Sequence, residues 1–394
     1  MQIKIIDNIY WLGVNDRRKA LFENIWQLPQ GVAYNSYLIT DAKTALIDTV
    51  DIAAADDYVQ RLHEHLQGRT LDYLIINHIE PDHSGMIDTL VRLYPDVKII
   101  GNKLTFKLLE NLFGIADNLH EVADGDTLNL GMHTLRFILT PWVHWPETMM
   151  TYDADNGLLF SGDVFGSFGT LDGALFDDET DSGFFESEMR RYYSNIVGKY
   201  SNMVQKTLTK LHDTPIHIIC PTHGLIWRGE PSKPITLYDR WSKYEANRGV
   251  VVAFASMYGH TEKIADYLAR RMAEQGVRNI RVFDVSKTHL SFLISEIWNY
   301  TGLLLGSCAY NGNAHPKMEQ LCTELSHIGV KNKHLGIFGS YSWSGGAVKS
   351  LSAFAEAASL PPVAQPVEIK GSLTNSRFAD CDTLATALAA AILA

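Results

Sequence analysis

Between His78 and His83 the chain reads HIEPDH, two histidines and two carboxylates within one short stretch. Imidazole and carboxylate donors without a thiolate suit a divalent metal that keeps positions open for substrate. No Lys or Arg stands between Asp72 and Arg92 to neutralise Glu80 and Asp82. Charge taken out of water is normally paired or coordinates a metal, so this loop is either solvated or metal-bound. Three later segments end apolar runs with the same donor types: His144 in TPWVHWPE, Asp163 in LLFSGDVFG and His223 in IICPTHG. Each alone is a weak signal, since a lone histidine after a strand is more often a hydrogen-bonded structural residue than a ligand. Taken with His78, Glu80, Asp82 and His83 they make four imidazoles and three carboxylates. That is the complement of two metal ions, each with two imidazoles and one carboxylate, plus one shared bridging carboxylate. The oxygen content favours iron over zinc.

These side chains need strands to present them. LDYLIIN reads as a buried strand, and Pro81 cannot continue it, which puts His78 to His83 on the strand end or the following loop. Further strands are expected at IIDNIYWLG, YNSYLIT, TALIDTV, VKIIGN, TLRFILT, LLFSGD and IHIICPTHG, each closed by Gly, Asn, Asp or Pro. Helical stretches lie between some of them, from Ala53 to Gln67 and from Ser84 to Tyr94. Many strands with interleaved helices imply packed sheets covered by helices.

After Arg248 the pattern becomes strictly β then α, through VVVAFAS, IRVFDV, LLLGS, HLGIFGS and finally VEIK, with helices from about Thr261 to Gln275, near Pro316 and from about Gly346. This order predicts a doubly wound parallel sheet. ITLYDRWSKYEANRG reads as a connecting helix, which divides the chain into residues 1–248 and 249–394.

In this second half Ser256, Met257, Tyr258, Gly259, His260 and Thr261 join a strand to a helix. Hydroxyls and unpaired N–H groups at a helix start can cradle a phosphate, and they can equally form a plain helix cap. The loop is neither G-x-G-x-x-G nor G-x-x-x-x-G-K-[ST], so dinucleotide and nucleoside triphosphate sites are not indicated. Two later loops follow neighbouring strands: Ser307, Cys308, Ala309, Tyr310, Asn311, Gly312 and Asn313, then Ser340, Tyr341, Ser342, Trp343, Ser344 and Gly345. Gly and Ser permit close backbone approach, and Tyr310, Tyr341 and Trp343 offer faces for a flat ring. Three such loops at carboxyl ends of adjacent strands form a site for a flat-ringed monophosphate at a sheet switch point.

Composition narrows the classes. A formal net charge of -11 over 394 residues speaks against nucleic-acid binding. Cys220, Cys308, Cys322 and Cys381 form no CxxC pair, so neither a disulfide framework nor a thiolate metal site is indicated and a reducing cytoplasm fits. No export signal or run of about 20 apolar residues is visible, so no membrane span is expected.

The H-x-E-x-D-H loop, with the later TP..HWPE, FSGD and THG..W elements, resembles the metallo-β-lactamase superfamily, and the second half resembles flavodoxin. Glu80 stands where the hydrolytic members carry a second histidine, and in this the chain is similar to the flavodiiron proteins (A-type flavoproteins). The resemblance implies an N-terminal metallo-β-lactamase-like αββα sandwich and a flavodoxin-like sheet of order 2-1-3-4-5. It implies that His78, Glu80 and His144 hold one iron, that Asp82, His83 and His223 hold the other, and that Asp163 bridges. It implies FMN contacts from the three loops and a head-to-tail homodimer or dimer of dimers. The expected activity is reduction of O2 to water, of NO to N2O, or of both. No four-cysteine module follows the flavodoxin part, so a separate donor is expected: rubredoxin, another small redox protein or a reduced deazaflavin. Arg17, where relatives often carry Trp, and Trp142 depart from the family pattern and bear on which gas is preferred. The competing function is a binuclear zinc hydrolase of thioesterase type fused to a redox module, against which Glu80 argues.

Overall fold

In the computed structural model, residues 3–394 are described, the side chain of Asn375 excepted. The chain forms two compact units, Met1–Tyr193 with Tyr200–Asp239, and Ser194–Lys199 with Arg240–Ala394.

The first unit is built on two sheets. Seven strands run in the order Ile3–Ile6, Ile9–Trp11, Tyr37–Thr40, Thr44–Ile47, Tyr73–Ile75, Lys98–Gly101 and Leu119–Glu121. The pairing is antiparallel up to Thr44–Ile47 and parallel from there on. The second sheet runs Thr127–Asn129, Thr134–Leu139, Met149–Asp153, Leu158–Gly162 and Ile218–Pro221. Alternate residues of the two sheets meet in one core: Ile39, Ile47, Ile75 and Ile100 from one, Leu135, Phe137, Phe160 and Cys220 from the other. Residues at every second position of a strand share a face, so this core follows from the pleat. Tyr37 and Phe160 lie with ring centroids 5.2 Å apart. The helices complete the αββα arrangement expected from the sequence.

The second unit has a parallel sheet in the order Ile280–Asp284, Asn247–Ala255, Tyr300–Tyr310, His334–Tyr341 and Val367–Lys370. In chain order this is 2-1-3-4-5, as expected. Its core includes Val250, Val252, Ile264, Leu268 and Leu304.

Several elements differ from their sequence-based reading. IIDNIYWLG is a hairpin of two short strands, because Asn8 takes φ +65° in a turn that folds Ile9 back onto Ile6. The helix expected from Ser84 to Tyr94 is two pieces, Pro81–Ser84 and Ile87–Leu93. Asp82 and His83 therefore sit on a single helical turn begun by Pro81, whose fixed φ and missing N–H suit a helix start. The connecting helix is Ser232–Ser242, and Asn247 already belongs to the first strand of the second unit. The final helix, Phe378–Leu393, was hidden by its run of Ala and Leu without a clear polar face; it packs Leu384, Ala385 and Leu388 into the core. Among the described residues no helix is long and apolar enough to cross a membrane.

Lys333 is buried, and its Nζ donates to the carbonyl of Tyr300 at 2.7 Å. Burial pushes its pKa down to about 7. In the unfolded chain a lysine titrates near ~10.4, so between these values the unfolded state binds the extra proton. The penalty is complete below pH 7, and stability rises with pH above it. Lys333→Met is expected to raise the melting temperature at pH 7 and to flatten the rise that wild type shows between pH 7 and pH 10. Equal slopes for the two proteins would contradict this.

Candidate metal centre and flavin cleft

The metal loop is held from both sheets. Asp48, at the end of its strand with φ +52°, accepts the N–H groups of Asn77 at 2.8 Å and His78 at 3.3 Å. Asn77 in turn accepts from Met149 N at 3.0 Å and from Thr151 Oγ1 at 2.8 Å. Thr49 donates both its N–H and its hydroxyl to the carbonyl of His83, each at 2.7 Å. Gly85 closes the turn, and a Cβ there would stand 2.7 Å from Ile52 N and 2.8 Å from Pro81 O. Only glycine fits that approach.

All seven predicted donors are buried and lie beyond the carboxyl ends of strands, on the helical turn Pro81–Ser84 or in the turn between Thr134–Leu139 and Met149–Asp153. They fall into two sets, His78, Glu80, His144 and Asp163, and Asp82, His83 and His223, with the donor atoms of each set within 4.8 Å of one another. Asp163 faces both. Its Oδ2 is 3.1 Å from His144 Nε2 and 3.5 Å from His78 Nε2, while its Oδ1 is 2.9 Å from His83 Nε2 and 3.4 Å from His223 Nε2. Glu80 Oε2 is 3.2 Å from both His78 Nε2 and His144 Nε2. Asp82 Oδ2 is 3.4 Å from His223 Nε2.

The imidazoles are aimed from behind. His78 Nδ1 donates to Glu147 Oε1 at 2.7 Å, and His223 Nδ1 donates to the carbonyl of Ala33 at 2.8 Å, so both present Nε2 to the centre. Thr222 Oγ1 donates to Asp163 Oδ1 at 2.9 Å. Asn35 Nδ2 donates to the carbonyls of Pro221 and Gly224, which fixes the loop that carries His223.

Protein groups alone leave this cluster unsatisfied. Both oxygens of Asp82, both ring nitrogens of His83, Nε2 of His144 and His223, and Oδ2 of Asp163 are buried without a hydrogen bond of acceptable geometry. Unpaired buried polar atoms are rare, and their concentration here is what a metal-binding cage shows when its ions are left out. Three carboxylates with four neutral imidazoles balance two divalent cations to within one charge. The donor set therefore fits two ions.

The protonation pattern is that of charges compressed together. Burial opposes ionisation of Glu80, but the adjoining imidazoles of His144 and His78 hold its carboxyl well below the usual range. Asp163 is also held low against burial, by the imidazoles of His83, His144 and His223 that crowd its two oxygens. Burial disfavours protonated imidazole, yet Asp163 and Glu80 raise His144 to about 9, and Asp163 and Asp82 raise His223 to about 10.

Sequence reasoning missed the supporting residues. Glu147 stood in plain view in HWPE, but nothing local linked it to His78, which lies 69 positions away. Asp48, Asn77 and Tyr192 carried no signal at all; the ring of Tyr192 lies 5.6 Å from that of His223. Arg17 is an exposed residue paired with Asp172 at 2.6 Å, and Trp142 is about half exposed and stacked on Tyr200. For Glu147→Gln, iron affinity is expected to fall ~10- to 100-fold with the fold intact, as for lost outer partners of metal-bound histidines. Anaerobic titration with Fe(II) measures this, and wild-type affinity would refute the aiming role.

In the second unit, a cleft of about 170 Å³ is lined by Ser256, Met257, Tyr258, His260, Thr261, Cys308, Ala309, Asn311, Gly312, Ser340, Tyr341, Ser342, Trp343, Ser344 and Gly371. All three predicted loops meet there. Gly259, Ser307, Tyr310, Asn313 and Gly345 do not line it, and Tyr310 packs toward His315 with ring centroids 6.2 Å apart. Gly371 was not anticipated. The helix His260–Glu274 starts from Gly259 at φ +84° with no side-chain cap, so its first N–H groups remain available to a phosphate. Thr261 Oγ1 and Ser340 Oγ are 2.8 Å apart and tie the first loop to the third. Trp343 and Tyr258 are 88% and 83% exposed, large apolar rings left open beside the cleft. A phosphate cradle with exposed aromatic faces fits a flavin mononucleotide.

Comparison with known proteins agrees with both units. Residues 32–224 match the model of the ODP family beta lactamases, and residues 252–378 match the model of flavodoxin. The chain is 33% identical over 368 residues to a nitric oxide reductase of Moorella thermoacetica, covering 92% of each chain. It superposes on rubredoxin oxygen:oxidoreductase from Desulfovibrio gigas with a TM-score of 0.95 and 30% identity, covering 100% of this chain and 99% of that one. It superposes on the flavodiiron protein from Giardia intestinalis with a TM-score of 0.95 and 25% identity, covering 100% and 97%. With a lactamase-like unit that gathers seven candidate metal donors and a flavodoxin unit behind it in sequence, the chain belongs to the flavodiiron proteins.

Proposed function

We propose that this chain is a flavodiiron reductase that takes O2 to water, NO to N2O, or both. Residues 1–248 form the diiron domain and residues 249–394 the FMN domain. His78, Glu80 and His144 would hold one iron, Asp82, His83 and His223 the other, and Asp163 would bridge. Ser256–Thr261, Ser307–Asn313 and Ser340–Gly345 would embrace FMN. The observation that carries the reading is Asp163, whose two carboxylate oxygens face separate pairs of histidine nitrogens.

When bound, the two irons and FMN together supply the four electrons that convert O2 and four protons to two waters, or the two electrons that convert two NO and two protons to N2O and water. The chain's own residues set the conditions. Glu147 and the carbonyl of Ala33 hold the imidazoles of His78 and His223 in one tautomer, so their lone pairs point inward. Burial of all seven donors excludes bulk water, which keeps partly reduced gas inside the pocket. The helix start at Gly259 would anchor the flavin phosphate, and Tyr341 and Trp343 would bear on its ring.

Rubredoxin or another small redox protein is the proposed electron donor, a head-to-tail homodimer or dimer of dimers the working assembly, and the cytoplasm the location. Metal and flavin analysis should find about two irons and one FMN per chain. Anaerobic reduction followed by parallel O2 and NO uptake on one preparation then reports the activity and its preference. Zinc in place of iron, with thioester hydrolysis and no gas uptake, would overturn the reading.

A further inference from the structure

The wall of the flavin cleft is almost without charge. Among the described residues that line it, His260 is the one whose side chain can become a cation near neutral pH, and none carries a carboxylate. His260 opens the helix His260–Glu274, directly after Gly259. The first bond inside that helix runs from Lys263 N to the carbonyl of Gly259 at 3.1 Å, which leaves the N–H groups of His260, Thr261 and Glu262 without an intrahelical acceptor. The N–H of Gly259 already donates to Ser256 Oγ at 3.0 Å. The ring of His260 is held from one side only. Its Nδ1 lies 3.1 Å from Ser372 Oγ, and its Nε2 has no partner among the described residues. Ser372 follows Gly371, which lines the cleft, takes φ +75° and donates its N–H to the carbonyl of Tyr341 at 2.8 Å. The contact therefore ties the helix start to the end of the strand Val367–Lys370, two walls of the same cleft.

We infer that His260 is the residue by which this cleft selects a flavin that bears a phosphate, with Ser372 as the positioning residue that fixes its ring. The inference rests on the FMN reading and concerns what the phosphate meets. A phosphate monoester carries about −1.5 to −2 charges near neutral pH, whereas a helix start supplies about +0.5. Backbone N–H groups and the hydroxyls of Ser256 and Thr261 add hydrogen bonds but no net charge. Roughly one negative charge is left over, and no Lys or Arg of the cleft wall meets it. Glu262 works against the balance, because its Oε2 stands 4.0 Å from where a Cβ on Gly259 would be and so adds negative charge at the same helix start. Lys263, the next residue, does not line the cleft. An imidazole serves in either protonation state. With the Ser372 hydroxyl donating to Nδ1, the neutral ring keeps its hydrogen on Nε2, and a protonated ring carries one on both nitrogens. In each case Nε2–H is the donor left for the phosphate. Riboflavin, with the same ring system and no phosphate, offers that donor nothing.

The test uses the full chain stripped of flavin, titrated in parallel with FMN and with riboflavin while flavin fluorescence is followed. For His260→Ala the Kd for FMN should rise roughly 10- to 100-fold, the range for a lost hydrogen bond to a charged group, while the Kd for riboflavin stays at the wild-type value. Ser372→Ala should weaken FMN in the same direction but less, again without moving riboflavin. Phosphorus NMR of the FMN-loaded proteins should show the phosphate resonance displaced in His260→Ala relative to wild type. Wild-type FMN affinity in His260→Ala overturns the inference. So does an equal loss of FMN and riboflavin in that variant, which would make His260 a wall residue that merely holds the loop. A wild-type chain that binds neither flavin overturns the FMN reading instead, and that control is read before either variant.

Discussion

Asp163→Ala is expected to abolish gas consumption, by more than about a hundredfold, and to leave the chain with fewer than two irons while FMN stays bound. The geometry makes this the most damaging single change. Each of the other six donors serves one set, whereas Asp163 approaches four imidazoles, two with each oxygen, at 2.9 to 3.5 Å. Its loss also removes one of three carboxylates that offset the charge of two divalent ions. Asp163→Asn, which fills the same space without the charge, should behave like the alanine variant. The flavin cleft is lined only by residues of the second unit, so flavin content should not move. Iron and FMN analysis beside O2 and NO uptake checks all three statements. Two retained irons with wild-type uptake would show that Asp163 does not bridge.

The second large effect is a divergence of the metal-free and metal-loaded proteins with pH. In the metal-free protein, burial is overcome by neighbouring carboxylates, so His144 keeps its proton to about pH 9 and His223 to about pH 10. Unfolded histidine titrates near ~6.5. The folded metal-free chain therefore binds more protons across this window, and stability present below pH 6.5 is lost as pH rises through 9 and 10. Each site contributes ~1.4 kcal/mol per pH unit over its own range. Metal must displace the same protons, so affinity for Fe(II) rises over the window in which metal-free stability falls. The melting temperature of the loaded protein should thus pull away from that of the metal-free protein between pH 7 and pH 10. The opposite slope contributed by Lys333 is common to both forms and cancels in the difference. A constant gap across that range would refute the prediction.

Much of this was legible before any fold was known. Ligand types sit next to strand-ending residues, and those two features are local: LDYLIIN before His78, FSG before Asp163, ICPT before His223. The second unit was the clearer, because alternating β and α patterns leave few topologies, and the observed order is the one expected. Boundaries were weaker where one residue decides the chain path. Asn8 turned a single expected strand into a hairpin, and Pro81 turned an expected loop into a helical turn that carries Asp82 and His83. Neither event alters hydrophobic periodicity, so neither could be read from it.

By itself, then, the sequence determined the candidate donor inventory, the presence of Glu80 among the histidines, three candidate flavin loops and the alternation of strand and helix that delivers them. Tertiary structure alone gathered the candidate donors into two sets, since the two oxygens of Asp163 reach imidazoles 19 to 85 positions away in the chain. It alone placed Glu147 behind His78 and Asp48 beneath the metal loop. The physical reason is that propensity and periodicity act over a few residues, while a buried polar atom is satisfied by whatever the packed sheets bring within about 3 Å of it.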